Sequence, residues 1–90
     1  MKVRFIFKGS IFEQKDPIEI DIEEKSSILE AMKEVCKDRT KLQSLLFRED
    51  QLRSDILVIV DKTDVLSMGL LDFELSNHQE ITILPLAHGG

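Results

Sequence analysis

The group in this sequence best suited to chemistry is the α-carboxylate at its end, which follows the pair Gly89-Gly90. Glycine has no Cβ, so a diglycine segment fits a narrow channel in another protein. Glycine is also costly to order and adds no packing, so such a segment does little for its own fold. An α-carboxylate with a pKa of about 3.3–3.7 is ionised near neutral pH and is a poor electrophile. On this interpretation the domain is a carrier and its terminus does the chemistry; the alternative is an ordinary frayed end.

The other candidate groups do not form a catalytic or metal-binding set. Cys36 belongs to an apolar helical stripe, and free cysteines are among the most buried residues. His78 falls in a predicted turn, and two histidines with one cysteine offer no metal-ligand spacing. His88 is either a contact for an activating partner or simply solvated. The side chains therefore offer no catalytic or metal-binding constellation.

Composition restricts the partners and the compartment. The 90 residues suffice for one small domain, and 17 acidic against 12 basic residues give a net charge of −5. This balance argues against direct nucleic-acid binding, which needs clustered Lys and Arg. A single cysteine cannot form an internal disulfide, and the longest apolar run, 56–60, is far too short to cross a membrane. We expect a cytoplasmic protein that binds neither nucleic acid nor membrane.

Two alternating segments begin the chain. Residues 2–8 and 17–23 alternate apolar and charged side chains, the pattern of half-buried strands. Together they predict an antiparallel hairpin with a loose connection through 11–16. The acidic side chains of the second segment are expected to be the solvated face of an edge strand.

A helix follows, because the apolar period changes. Its apolar stripe consists of Ile28, Leu29, Met32, Val35 and Cys36. Ser27 and Glu30 have the spacing of a capping box, with Ser26 as an alternative cap, and the helix should run from about 28 to 37.

The second half of the chain predicts a mixed connection and two more strands. Residues 40–55 are expected to be partly helical, and 56–60 to be a strand. A turn at 61–64 and a short return strand at Val65-Leu66 come next, and then a compact connection over 68–75 anchored by its apolar residues. The last strand, 80–84, should stop at Pro85, which cannot donate a ladder hydrogen bond.

This order of elements predicts an α+β fold. One helix stripe must be buried against one sheet face, and a last strand parallel to the first gives a ubiquitin-like β-grasp with a mixed sheet on one main helix. We expect a single domain over 1–90, with residues 86–90 as a flexible diglycine tail.

Strand parity also predicts a second surface. If Ile81 and Ile83 face the helix, Leu84 faces outward, and Leu57 and Ile59 should lie nearby. With Ile6 they would form an exposed apolar patch that contacts an activating enzyme. Alternatively, the 40–55 connection or a second subunit covers them.

The second half resembles the ubiquitin-related modifier and small archaeal modifier family of sulfur carriers. The resemblance covers about 56–90 and depends on the run Gly69-Leu70-Leu71-Asp72-Phe73-Glu74-Leu75 and on the ending His88-Gly89-Gly90. Residues Pro85 and Ala87 depart from the family pattern. The small subunit of molybdopterin synthase and the thiamin sulfur carrier share the fold and the diglycine ending.

The resemblance implies a two-stage chemistry at Gly90. A ubiquitin-activating-type enzyme would use ATP to adenylate the carboxylate, and a sulfurtransferase would supply the sulfur of a thiocarboxylate. The product would serve tRNA 2-thiouridine formation, or the acyl group would join target lysines through isopeptide bonds. The chain itself would be a cosubstrate and not an enzyme, because other proteins consume and regenerate its reactive group, and it would bind no cofactor. The alternatives are a molybdopterin-synthase small subunit and a ubiquitin-like binding module that is never conjugated.

Overall fold

The computed structural model describes residues 1–86. Its strands and helices, in chain order, are β1 Lys2–Phe7, β2 Ile18–Asp21, α1 Ile28–Val35, α2 Thr40–Leu46, β3 Phe47–Arg48, β4 Gln51–Leu52, β5 Ile56–Val60, β6 Thr63–Asp64 and β7 Gln79–Pro85. A short 3₁₀ helix, Ser10–Phe12, occupies part of the predicted loose connection between β1 and β2.

The five strands β2-β1-β7-β5-β6 form one mixed sheet in that spatial order. β1 and β7 are parallel neighbours at its centre, and the other pairs within it are antiparallel. β2 is an edge strand, as predicted, but it is shorter than 17–23. The last strand includes Gln79 and Pro85, one residue more at each end than predicted. The predicted β-grasp is therefore confirmed.

Helix α1 begins at the cap that the sequence favours. The Ser27 side chain accepts a hydrogen bond from the Glu30 N–H at 3.1 Å, and the Glu30 carboxylate accepts one from the Ser27 N–H at 2.9 Å. Each side chain thus satisfies a backbone donor that helix geometry leaves free. Ser26 is not the cap. The helix ends at Val35, two residues before the predicted end, and Asp38 turns the chain with a φ of 63°.

Two tight hairpins in the second half were not predicted correctly. Strand β6 starts at Thr63 and not at Val65-Leu66, because the turn between β5 and β6 uses only Asp61 and Lys62. Glu49 and Asp50 connect β3 to β4 in the same way. All four turn residues have positive φ, between 51° and 66°, as a two-residue hairpin turn of type I′ requires.

The core lies between the sheet and the helices. From α1, Ala31, Met32 and Val35 have no exposed surface, and they belong to one buried cluster with the inward residues of β1, β5 and β7. Leu42 and Leu46 of α2 belong to the same cluster. Both helices therefore pack on one face of the sheet, and the other face carries the candidate site.

Candidate functional site

The outer face of the sheet brings the sequence-predicted apolar residues together. Leu57 of β5 pairs directly with Leu84 of β7, and Ile59 pairs with Thr82. Thr82 also pairs with Ile6 of β1 on its other side. Paired residues on neighbouring strands point to the same face, so these side chains form one continuous surface across three strands. We call Ile6, Leu57, Ile59, Thr82 and Leu84 the outer patch.

The outer patch is half-buried, whereas the residues that alternate with it are buried. Ile56, Val58 and Val60 of β5 are at most 6% exposed and face the helices, while Leu57 and Ile59 between them retain solvent contact. Residues 40–55 do not form a cover here, because the apolar side chains of α2 belong to the core on the opposite face. The outer patch is therefore an apolar surface, but its side chains are less exposed than the sequence predicts.

The remainder of the outer face is charged. Arg4 and Glu80 approach to 3.9 Å, and Lys2 and Glu19 to 4.0 Å, across neighbouring strands. These pairs are about half exposed, so they contribute little to stability. They divide the face into a charged half near the start of β7 and an apolar half near its end.

The chain leaves the sheet beside the apolar half. The backbone N–H of Leu86 donates to the carbonyl oxygen of Asp55 at 2.9 Å, which continues the β5–β7 ladder by one more bond. The Asp55 carboxylate accepts two hydrogen bonds from Arg53, at 3.0 and 2.9 Å, and this contact raises the pKa of the Arg53 guanidinium. This anchor is not predictable from the sequence, because two residues of opposite charge in a loop are not a distinctive signal.

The residues expected to carry the chemistry, Gly90 and Gly89, lie outside the described residues, as does His88. Leu86, the last described residue, is 38% exposed. Leu84 of the outer patch is only two residues before it. A protein surface that covers the outer patch is therefore adjacent to the backbone that leads to the terminus.

Neither of the other two side chains considered has a reactive environment. Cys36 is 3% exposed, and burial raises the pKa of its thiol to about 11, so it is not a thiolate near neutral pH. His78 is a turn residue, as predicted, with a φ of 68°. Its backbone N–H donates to the Lys2 carbonyl oxygen at 2.7 Å. Neither helix within residues 1–86 has the length and apolar composition needed to cross a membrane.

Comparison by sequence finds a relative among ubiquitin-like modifiers. No protein-family model matches the chain. A ubiquitin-related modifier 1 homologue of Drosophila simulans is 35% identical over 51 residues, which is 57% of this chain. The match spans 50% of that relative's length.

Comparison by structure finds the same fold in proteins of low sequence identity. SAMP1 from Haloferax volcanii superposes with a TM-score of 0.84 at 16% identity, covering 100% of both chains. A chain of the Amycolatopsis orientalis BexX/CysO complex gives 0.74 at 24% identity, covering 98% of this chain and 99% of that one. Urm1 from Trypanosoma brucei gives 0.71 at 20%, covering 99% and 95%. At these sequence identities the superpositions show that this chain shares its β-grasp fold with these proteins.

Proposed function

We propose that this chain is a ubiquitin-like sulfur carrier and protein modifier whose reactive group is the Gly90 carboxylate. A ubiquitin-activating-type enzyme adenylates that carboxylate with ATP, and a sulfurtransferase supplies the sulfur that replaces AMP. The thiocarboxylate then serves tRNA 2-thiouridine formation, or the Gly90 acyl group joins target lysines through isopeptide bonds. Three findings support the proposal: the β-grasp fold, the similarity to a ubiquitin-related modifier, and the terminal diglycine.

The chemistry requires activation because a carboxylate does not react with a sulfur nucleophile directly. In the first step a carboxylate oxygen attacks the α-phosphorus of ATP and pyrophosphate leaves, which gives an acyl adenylate. In the second a hydrosulfide equivalent attacks the acyl carbon and AMP leaves, which gives the thiocarboxylate. In this scheme the chain is consumed and regenerated by other proteins, so it is a cosubstrate and not an enzyme.

The observation that carries the proposal is the position of the outer patch beside the chain exit. Leu57 and Leu84 face solvent in adjacent strands, and the Leu86 N–H is bonded to the Asp55 carbonyl oxygen at the same end of the sheet. An apolar surface of this kind is suited to protein contact. An activating enzyme that docks on Leu57, Ile59 and Leu84 would receive residues 87–90 next to its nucleotide site, with His88 as a further contact.

The intact mass of the C-terminal peptide tests the proposed chemistry. The protein is incubated with ATP, a sulfur donor and cell extract. Replacement of one oxygen by sulfur at Gly90 indicates a sulfur carrier, and a branched peptide joining Gly90 to a lysine indicates a modifier. A variant lacking Gly90 should give neither product. If the unaltered protein also gives neither, the proposal is wrong.

The role of the outer patch is tested separately by the rate of adenylation. Leu57→Asp and Ile59→Asp should retain the fold, because both side chains keep solvent contact, and should lower the rate of ATP-dependent activation. Glu19→Gln is the matched control, since Glu19 lies on the same face of the sheet in the edge strand β2 and should leave the rate unchanged. If these variants fold and are activated at the parental rate, the outer patch does not dock the activating enzyme.

The alternatives give different results in the same assays. A molybdopterin-synthase small subunit would lose activity without Gly90 but would hold its tail in a tight stoichiometric complex with a large partner. A ubiquitin-like binding module would bind its partner equally well without Gly90.

A further inference from the structure

An apolar cleft lies at the end of the sheet opposite the chain exit. Residues from four parts of the fold line it: the start of α1, the β5–β6 hairpin, the loop after β6 and the start of β7. Its apolar lining includes Ile28, Val60, Val65, Leu70 and Leu75. The side chain of Phe73 also borders it and is 61% exposed. The prediction that Phe73 anchors a compact connection is therefore wrong, because its ring is largely in solvent.

The backbone around Phe73 is held firmly although the ring is exposed. The Phe73 carbonyl oxygen accepts a hydrogen bond from the Ile28 N–H at 3.0 Å, and the Leu71 carbonyl oxygen accepts one from the Leu29 N–H at 3.1 Å. These are N–H groups of the first turn of α1, which have no partner within the helix. The Leu75 N–H donates to the Ser26 carbonyl oxygen at 2.8 Å. A partner that covers the ring therefore has to order the side chain of Phe73 but not its backbone.

The charged side chains that line the cleft are both acidic. Asp61 lies at one side and Glu74 at the other. The Asp61 carboxylate accepts a hydrogen bond from the Gln79 side-chain amide at 2.7 Å, which fixes its position. Within residues 1–86 neither carboxylate takes part in an ion pair. Asp72 is exposed beside Phe73 and adds to the negative charge.

We propose that this acidic cleft binds a basic segment of a partner protein. The segment would place one apolar side chain against Phe73 and the apolar floor, and an Arg or Lys beside Asp61 or Glu74. Charge complementarity selects this occupant, because the lining carboxylates form no ion pair with the described residues and the whole chain has a net charge of −5. A cation close to the exposed face of Phe73 gains further attraction from the ring.

The acidic cleft and the chain exit lie at opposite ends of β7. The cleft adjoins Gln79 at the start of β7, and the chain exit follows Pro85 at its end. Seven strand residues extend about 20 Å. A short basic segment bound in the cleft therefore does not reach the backbone at Leu86.

Peptide titration followed by nitrogen-15 NMR tests the proposal with the intact chain. The probe is a seven-residue peptide with a leucine between two arginines, and two control peptides replace the arginines by glutamates or the leucine by serine. The first peptide should shift the amide signals of Asp61, Phe73 and Glu74. Its affinity should fall several-fold between about 0.01 and about 0.15 M salt, because exposed charges are screened. Neither control peptide should bind comparably.

Variants assign the binding to the cleft. Phe73→Ser should weaken the first peptide about tenfold. Asp61→Asn and Glu74→Gln should each weaken it while leaving the fold intact. Ile11→Ser, at an exposed apolar side chain in the 3₁₀ helix, is the control that should bind normally. The proposal is overturned if the arginine peptide fails to bind at millimolar concentration, binds Phe73→Ser equally, or shifts signals elsewhere. It is also overturned if the free protein is a dimer that Phe73→Ser dissociates, since a second copy would then occupy the cleft. None of these readouts depends on Gly90, so they are independent of the proposed carrier chemistry.

Discussion

Gly9 and Pro85 are in such close contact that a Cβ on Gly9 would lie 2.8 Å from the Cδ of Pro85 and 3.1 Å from its Cγ. Gly9 also has φ 120° and ψ 131°, a conformation that residues with a Cβ rarely adopt. It lies two residues after the end of β1, and Pro85 ends the parallel neighbour β7. This contact closes the end of the sheet from which the chain emerges.

Gly9→Ala should lower the free energy of unfolding by about 2–4 kcal/mol, because backbone strain and steric crowding act together. Urea unfolding measures this change. Gly69→Ala is the matched control, since Gly69 has a φ of 70° but a Cβ at that position would meet no atom within 4 Å. At Gly69 only the backbone strain destabilises the variant, so the free energy of unfolding should fall by about 1 kcal/mol. Equal losses at the two positions would show that the contact with Pro85 is unimportant.

The cap of α1 is open to a direct comparison of adjacent serines. Ser27→Ala should cost about 1 kcal/mol, because it removes the acceptor for the Glu30 N–H. Ser26→Ala should cost less, because the Ser26 hydroxyl donates only to the exposed Glu23 carbonyl oxygen. Thermal or urea unfolding of both variants measures the difference. A larger loss at Ser26 would contradict the assigned cap.

Strand parity predicts opposite responses at adjacent positions of β5. Val58→Thr should lower the free energy of unfolding by about 1–3 kcal/mol, because it places a hydroxyl in a site with no exposed surface. Ile59→Thr should cost less than Val58→Thr, about 1 kcal/mol, because Ile59 is only partly buried and a hydroxyl there can reach water. Urea unfolding of the two variants is the measurement. Similar losses would mean that both faces of the sheet are covered, and the outer patch would not be available for docking.

The thiol of Cys36 should make stability depend on pH in the alkaline range. In the unfolded chain its pKa is near 9.0, and burial raises it to about 11 in the folded protein. Between these values the unfolded state binds fewer protons than the folded state, so stability should fall as pH rises. The sequence contains no tyrosine, which removes one competing titration from this window.

Urea unfolding at about pH 8 and about pH 10 measures the effect. Cys36→Ala will be less stable at both values because it leaves a cavity, but its stability should decrease less between them. The comparison of slopes separates the thiol from the lysines, which both proteins share. A slope that is identical in the two proteins would contradict the pKa assigned to Cys36.

The parts of the fold that could be predicted are those in which the backbone geometry fixes the spacing of apolar side chains along the sequence. Alternation predicted β1, an apolar run predicted β5, and the spacing of Ser27 and Glu30 predicted the start of α1. Once β7 was placed beside β1, parity alone predicted that Leu57 and Leu84 share a face. These features depend only on periodicities of two and 3.6 residues and on short apolar runs, which a single sequence displays.

The features that were missed depend on contacts between distant residues or on unusual turns. Asp61-Lys62 adopts a turn that is usually associated with Asn-Gly or Asp-Gly, so its sequence predicted the wrong position for β6. Phe73 and Leu75 lie in one apolar run, yet only Leu75 is buried. Their orientations are fixed by hydrogen bonds from the loop to α1, and no local pattern contains that information.

The parallel pairing of β1 with β7 joins Val3 to Gln79 at the centre of the sheet. Such non-local pairing is slow to form, because a long intervening chain must first be closed. During synthesis β1 cannot pair with β7 until residues 79–85 have left the ribosome. The sheet stays incomplete until then, even if the first half of the chain has already folded. Leu84 of the outer patch lies in β7, so a protein that binds this patch would not recognise a nascent chain in which β7 has yet to pair.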